Sequence, residues 1–271
     1  MFSEFMLNTW LTASVVAVIA GAVGFFVVLR GASFLAHALP HGAFAGAAGA
    51  TLIGVDPILG MGLFAVGGAI AVTTLGVRGR NDVVVALSLV VMLAFGALFL
   101  SLGTEYSAEV FALLFGQILG ISAAEVVPIL ILGAVCAIAI IVSYRPLMLS
   151  SVLPDMAAAR GISTFGMSLF FALLVAVATA LSVPVVGALL MFSLMVGPPA
   201  AARSFAADPL RAIPLSIAFA LVIVWISIAV SYETSLPIGF FVTALSAVVY
   251  GLGRGWFALR TRTLGVEEKS A

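Results

Sequence analysis

Charge is what this chain has least of. Of 271 residues, 11 are Lys or Arg, 11 are Asp or Glu and 2 are His. Charged residues are 8% of the whole, against about 25% in a soluble domain. With 64% hydrophobic residues and a mean hydropathy of +1.33, water-soluble classes are excluded and an integral membrane protein remains. The single cysteine, Cys136, rules out an internal disulfide and any CxxC metal site, and its mid-segment position reads as apolar packing. No GxxxxGK[ST] occurs, so the chain itself cannot hydrolyse ATP. HExxH, GxSxG and paired intramembrane aspartates are missing too, which leaves no basis for an enzyme. There is no basic patch on which nucleic-acid binding could rest, and no strand-like alternation that would build a barrel. The first apolar run lacks a basic leader and is too long for a cleavable signal, so it is expected to be a span.

What is present is a series of apolar runs, each about 20 residues long, the length needed to cross a hydrocarbon core as a helix. They lie near 9–29, 33–54, 57–77, 83–102, 126–143, 165–182, 184–202, 212–231 and 237–252. These runs predict an all-α polytopic bundle of eight or nine transmembrane helices. A further apolar run, near 107–121, is short and holds Gln117, and is expected to be a half-helix or re-entrant segment. With the N-terminus outside and 107–121 not crossing, all 11 basic residues fall on one face, from Arg30 to Lys269. By the positive-inside rule that face is cytoplasmic. Glu4, Asp56, Glu105, Glu109, Glu125 and Glu233 then fall on the other, where they can attract cations or dock a basic partner, or serve only as solvated loop residues.

The only two histidines, His37 and His41, sit in RGASFLAHALPHGAFAGAAGATLIG, a stretch otherwise built of Ala, Gly, Leu and Phe. Four residues apart on a helix, they share a face one turn apart. Two neutral imidazoles so placed are half of a site for a borderline cation such as zinc. The alternative is a pair of packing or headgroup histidines, but paired polar groups in so apolar a chain point to function. The pair is expected in the outer to middle part of the membrane, with Pro40 between the two able to kink the helix and change how they face each other.

The one polar connection of any size runs from Arg145 to Thr164. After Ser150 and Ser151 a short amphipathic helix is expected through Asp155 to Arg160, stopped by Gly161. It is too short to span, and suits either a groove on a soluble partner or a plain connector.

Five stretches, in order, resemble the permease subunit of bacterial ATP-binding-cassette importers for zinc, manganese and iron, the ABC-3 family. They are VLRGASFLAHALPHGAFAG, LFGQILGIS (114–122), DMAAARGI (155–162), VGALLMFSLMVGPPAAAR (186–203) and SLPIG (235–239). Without gaps His41 falls on the family's His and Gly46 on its Gly, whereas His37 stands where many members carry Asp and Ala45 where Pro is common. The resemblance implies a type II importer-like fold, with 1–271 as a single transmembrane permease domain in the bacterial cytoplasmic membrane. It makes 150–161 the cytoplasmic coupling helix, with Asp155, Ala158, Arg160 and Gly161 meeting the ATPase, and 253–271 a cytoplasmic tail. It implies three kinds of partner: cytoplasmic ATP-binding subunits, an extracytoplasmic metal-binding protein, and a second permease copy forming a homodimer. No cofactor is expected on the chain itself; ATP belongs to the partner subunit, and His37 and His41 would contact the transported metal. A permease for metal chelates or vitamins needs no bare ligand pair, and a secondary transporter would want carboxylates at mid-membrane, whereas Asp and Glu here fall at segment ends.

Overall fold

The computed structural model describes residues 4–76, 81–103, 123–234 and 236–263. Among these it holds ten helices: α1 (Glu4–Leu29), α2 (Ser33–Leu52), α3 (Pro57–Leu75), α4 (Asn81–Leu102), α5 (Ala123–Val152), α6 (Pro154–Ala159), α7 (Thr164–Val186), α8 (Ala188–Phe205), α9 (Pro209–Thr234) and α10 (Ile238–Thr263). No strand occurs among the described residues. The run near 107–121 and its LFGQILGIS motif lie outside them.

Local chemistry sets the helix ends. Gly31, at φ +64°, reverses the chain between α1 and α2 as only glycine does cheaply. The Asp56 carboxylate accepts from the Ile58 amide at 2.7 Å, with Pro57 opening α3. Ser163 caps α7 by accepting from the Gly166 amide at 3.0 Å.

Among the described residues seven helices are long and apolar enough to cross a membrane: α1, α3, α4, α5, α7, α9 and α10. α2 and α8, at 20 and 18 residues, are also of spanning length, but they carry the histidines, the Pro198–Pro199 pair and many small residues. Their position accounts for their polarity. α2 packs along α3, α4, α7 and α8, and α8 along α1, α2, α9 and α10, so neither has to satisfy lipid all round. α4, by contrast, buries only 17% of its apolar stretch and lies at the periphery.

Close crossings hold the centre together. A Cβ added to Gly46 would sit 2.1 Å from the Gly60 carbonyl oxygen, so α2 and α3 touch backbone to backbone. A Cβ on Gly24 would meet the Met195 carbonyl at 2.3 Å, where α1 crosses α8. Such approaches supply the van der Waals contact that drives helix association when lipid is the solvent. The Ser216 hydroxyl adds a hydrogen bond to the Gly21 carbonyl at 2.8 Å, tying α9 to α1.

Several expected boundaries are corrected. α5 runs on to Val152, so residues 150–152 continue it, and the separate short helix covers 154–159 instead of 150–161. α10 is helical to Thr263, so the expected 253–271 tail begins as helix.

Candidate functional site

His37 and His41 face the same way on α2, as their spacing predicts. Their rings meet edge to face, with centroids 5.0 Å apart. Pro40 deprives the Ala36 carbonyl of its helical donor, yet α2 continues through it and the rings stay adjacent. His41 is only 5% exposed, and its Nδ1 is buried with no hydrogen-bond partner. A buried imidazole nitrogen left unsatisfied costs stability unless something else uses its lone pair or proton. His37 is partly exposed and packs its other side against Phe192 of α8, centroids 4.9 Å apart. Phe192 is the contact sequence reasoning missed. It lay inside an apolar motif, VGALLMFSLMVGPPAAAR, with nothing to mark it from its neighbours.

Among the described residues no group of three or more His, Cys, Asp or Glu could hold a metal ion together.

α2 starts at the end of the bundle where Arg30 lies, and at 1.5 Å per residue His37 is about 6 Å and His41 about 12 Å along it. Both therefore lie within about the first three turns of α2, counted from the end that Arg30 marks.

That basic end is built by contacts. The Arg203 guanidinium donates to the Val28 carbonyl at 3.3 Å, bringing the end of α8 to the end of α1. Arg145, Arg160 and Pro209 line one cavity of about 660 Å³, together with Met148 and Ile162. Phe205 and Trp256, centroids 6.2 Å apart, bring Arg254 on α10 to the same end. The expected coupling residues stand here as well. α6 presents Asp155, Ala158 and Arg160 to the outside, buries Ala157 against the bundle, and is closed by Gly161 at φ +77°.

A second feature was illegible in the sequence. Arg30 donates from Nε to the Ser151 hydroxyl at 2.8 Å and from Nη2 to the Ser150 hydroxyl at 2.6 Å. Its guanidinium also lies over the Phe171 ring, 4.9 Å from the centroid. It borders a cavity of about 520 Å³ with Phe34, Thr73, Asp82 and Ser168. Residues 120 and 121 positions apart give no periodic signal of their contact.

Comparison with known proteins follows this geometry. The family model described as "ABC 3 transport family" matches residues 2–253. Among curated relatives, the manganese import system permease protein ScaB of Streptococcus parasanguinis is 25% identical over 252 residues, covering 91% of this chain and 89% of its own. The high-affinity zinc uptake system membrane protein ZnuB of Haemophilus influenzae is 28% identical over 208 residues, covering 76% and 80%. Among solved structures, PsaBC from Streptococcus pneumoniae in complex with Fab matches with a TM-score of 0.84 at 24% identity, covering 93% of this chain and 91% of that one. That likeness establishes the fold.

Proposed function

The chain belongs to the ABC 3 transport family, and on that premise we propose that it is the membrane-embedded permease of an ATP-driven importer of a divalent metal cation. It sits in the bacterial cytoplasmic membrane as a multi-pass bundle whose basic end faces the cytoplasm. ATP is hydrolysed on a partner subunit, and an extracytoplasmic metal-binding protein delivers the ion to the other face. A second copy of the permease completes the assembly. Asp155, Ala158, Arg160 and Gly161 meet the ATPase, whose motion is passed on to the pathway.

The observation that carries this reading is the His37–His41 ring contact on α2, with the Nδ1 of His41 buried and unpartnered. In a bundle where polar side chains are scarce, two adjacent imidazoles offer ligands to a passing cation. Relatives are named for manganese and for zinc. Here the pair is neutral and no carboxylate joins it among the described residues. Imidazole suits zinc, while manganese prefers oxygen donors, so zinc is the cargo this donor set favours. Zinc takes about four ligands, so water or the second copy's pair supplies the remainder.

Metal-stimulated ATP hydrolysis by the reconstituted complex tests the assignment. Zinc should stimulate the wild type more than manganese does, and His37→Asp, which adds an oxygen donor and a charge, should shift the preference toward manganese. An identical metal profile for the two proteins would separate the histidines from selectivity.

A further inference from the structure

Resting on the permease reading above, we infer that Arg30 is a positioning residue that ties the ATPase-facing helix to the helix carrying the histidines, and so makes metal movement depend on ATP.

The packing leaves a place for such a tie. α6 rests on α5 and α7, whereas α2 packs mainly along α3, α4, α7 and α8. Movement imposed on α6 therefore has no broad apolar contact with α2 itself, and packing offers only an indirect route through α7, which touches both. Arg30 spans the gap. It is the last residue before Gly31, and the turn it occupies leads straight into α2, with His37 seven residues on. Its fork holds Ser150 and Ser151, which lie in the last turn of α5, immediately before α6 opens at Pro154.

The serines are themselves fixed. Both hydroxyls donate to the carbonyl of Leu147, a fully buried residue, and so accept from Arg30 in a set direction. The face of the guanidinium packs on Phe171 of α7, the other helix on which α6 rests. One side chain thus joins the α1–α2 turn, the root of α6 and α7. Its described partners are two hydroxyls and a ring, none of them charged. A planar fork donating to two fixed acceptors sets a geometry, which a single ammonium on a flexible stem does not reproduce. The polar network is partly buried, where hydrogen bonds act cooperatively.

Two variant sets test this in the intact complex, reconstituted with its ATPase subunit in vesicles and given zinc. One is Arg30→Lys and Arg30→Ala; the other is Ser150→Ala with Ser151→Ala, which keeps the arginine and removes its acceptors. The ratio of zinc moved to ATP hydrolysed, together with zinc binding to the complex, separates coupling from mere folding. Each set should leave ATP hydrolysis and zinc binding near wild type and lower zinc moved per ATP by about tenfold, the scale on which coupling residues act. The triple alanine variant should be no worse than Arg30→Ala alone, because both remove one interaction. An unchanged zinc-to-ATP ratio in the serine variant, or zinc binding lost in step with uptake, would overturn the inference while leaving the permease reading intact. If wild-type complex moves no zinc with ATP, the permease reading falls and takes this inference with it.

Discussion

Gly46 and Gly62 show how far a single glycine's meaning depends on what faces it. At Gly46 the Gly60 carbonyl leaves no room for a Cβ, while at Gly62 nothing lies within 4 Å. Gly46→Ala should therefore force α2 and α3 apart at a cost of about 1–3 kcal/mol, the range for overpacking a fitted contact. Gly62→Ala should be neutral or stabilising by about 0.5–1 kcal/mol, because alanine restricts the unfolded chain. Melting temperatures in detergent check both, and equal shifts would mean that the α2–α3 crossing can accommodate a methyl group. The importance of Gly46 was legible only as a position in a motif. Its physical reason, the backbone contact with α3, requires knowing which helix lies opposite. The histidines were legible for the opposite reason: a spacing of four residues is local, and it fixed their common face before any neighbour was known. Phe192 depends on helix pairing and stayed hidden.

At the scale of elements, apolarity marked where membrane ends and was mistaken for where helix ends. α10 was expected to end near Leu252, but its apolar stretch reaches Leu259 and the helix carries on to Thr263, because residues such as Ala258 and Leu259 favour helix whatever the solvent. α5 runs for 30 residues past Pro128 and Pro146, each a break signal in sequence. Within a bundle, neighbouring helices, side chains and local adjustment can satisfy the carbonyls that proline leaves free. That is why Ser150 and Ser151 looked like the start of α6 when they are the end of α5. The core of the short helix was legible all the same: Pro154 and Asp155 open it, and Gly161 closes it with the φ that its glycine foretells. Because Ala158 and Arg160 are exposed, Arg160→Glu or Ala158→Trp should leave the bundle folded and inserted. If the face docks on the ATPase, both variants should lose ATP-driven uptake and co-purify less ATPase subunit. Full uptake with normal assembly in both would make α6 a plain connector.

Across the whole molecule, sidedness was the part of the fold most openly written in the sequence. Arg30, Arg145, Arg160, Arg203 and Arg254 were expected on one face, and hydrogen bonds, a shared cavity and an aromatic pair gather them at one end of the bundle. Charge is expensive inside a bilayer, so basic residues record topology in a way that apolar residues cannot. The interior arrangement was not written there. That α2 and α8 lie inside while α4 lies at the edge follows from which helices carry small and polar residues, and only packing turns that into a position. The result is a bundle whose two least lipid-like helices meet at the histidine pair and Phe192. The central claim is that metal passes this pair, driven by ATP. Its most direct test is zinc accumulation in vesicles holding the complex, with ATP enclosed and the zinc-loaded binding protein outside. Wild type should accumulate zinc only when ATP is present, and His41→Ala, equally assembled, should lose uptake by about tenfold or more, the scale at which ligand-sphere changes act. Accumulation at the wild-type rate by His41→Ala would make the histidines packing residues and contradict the account.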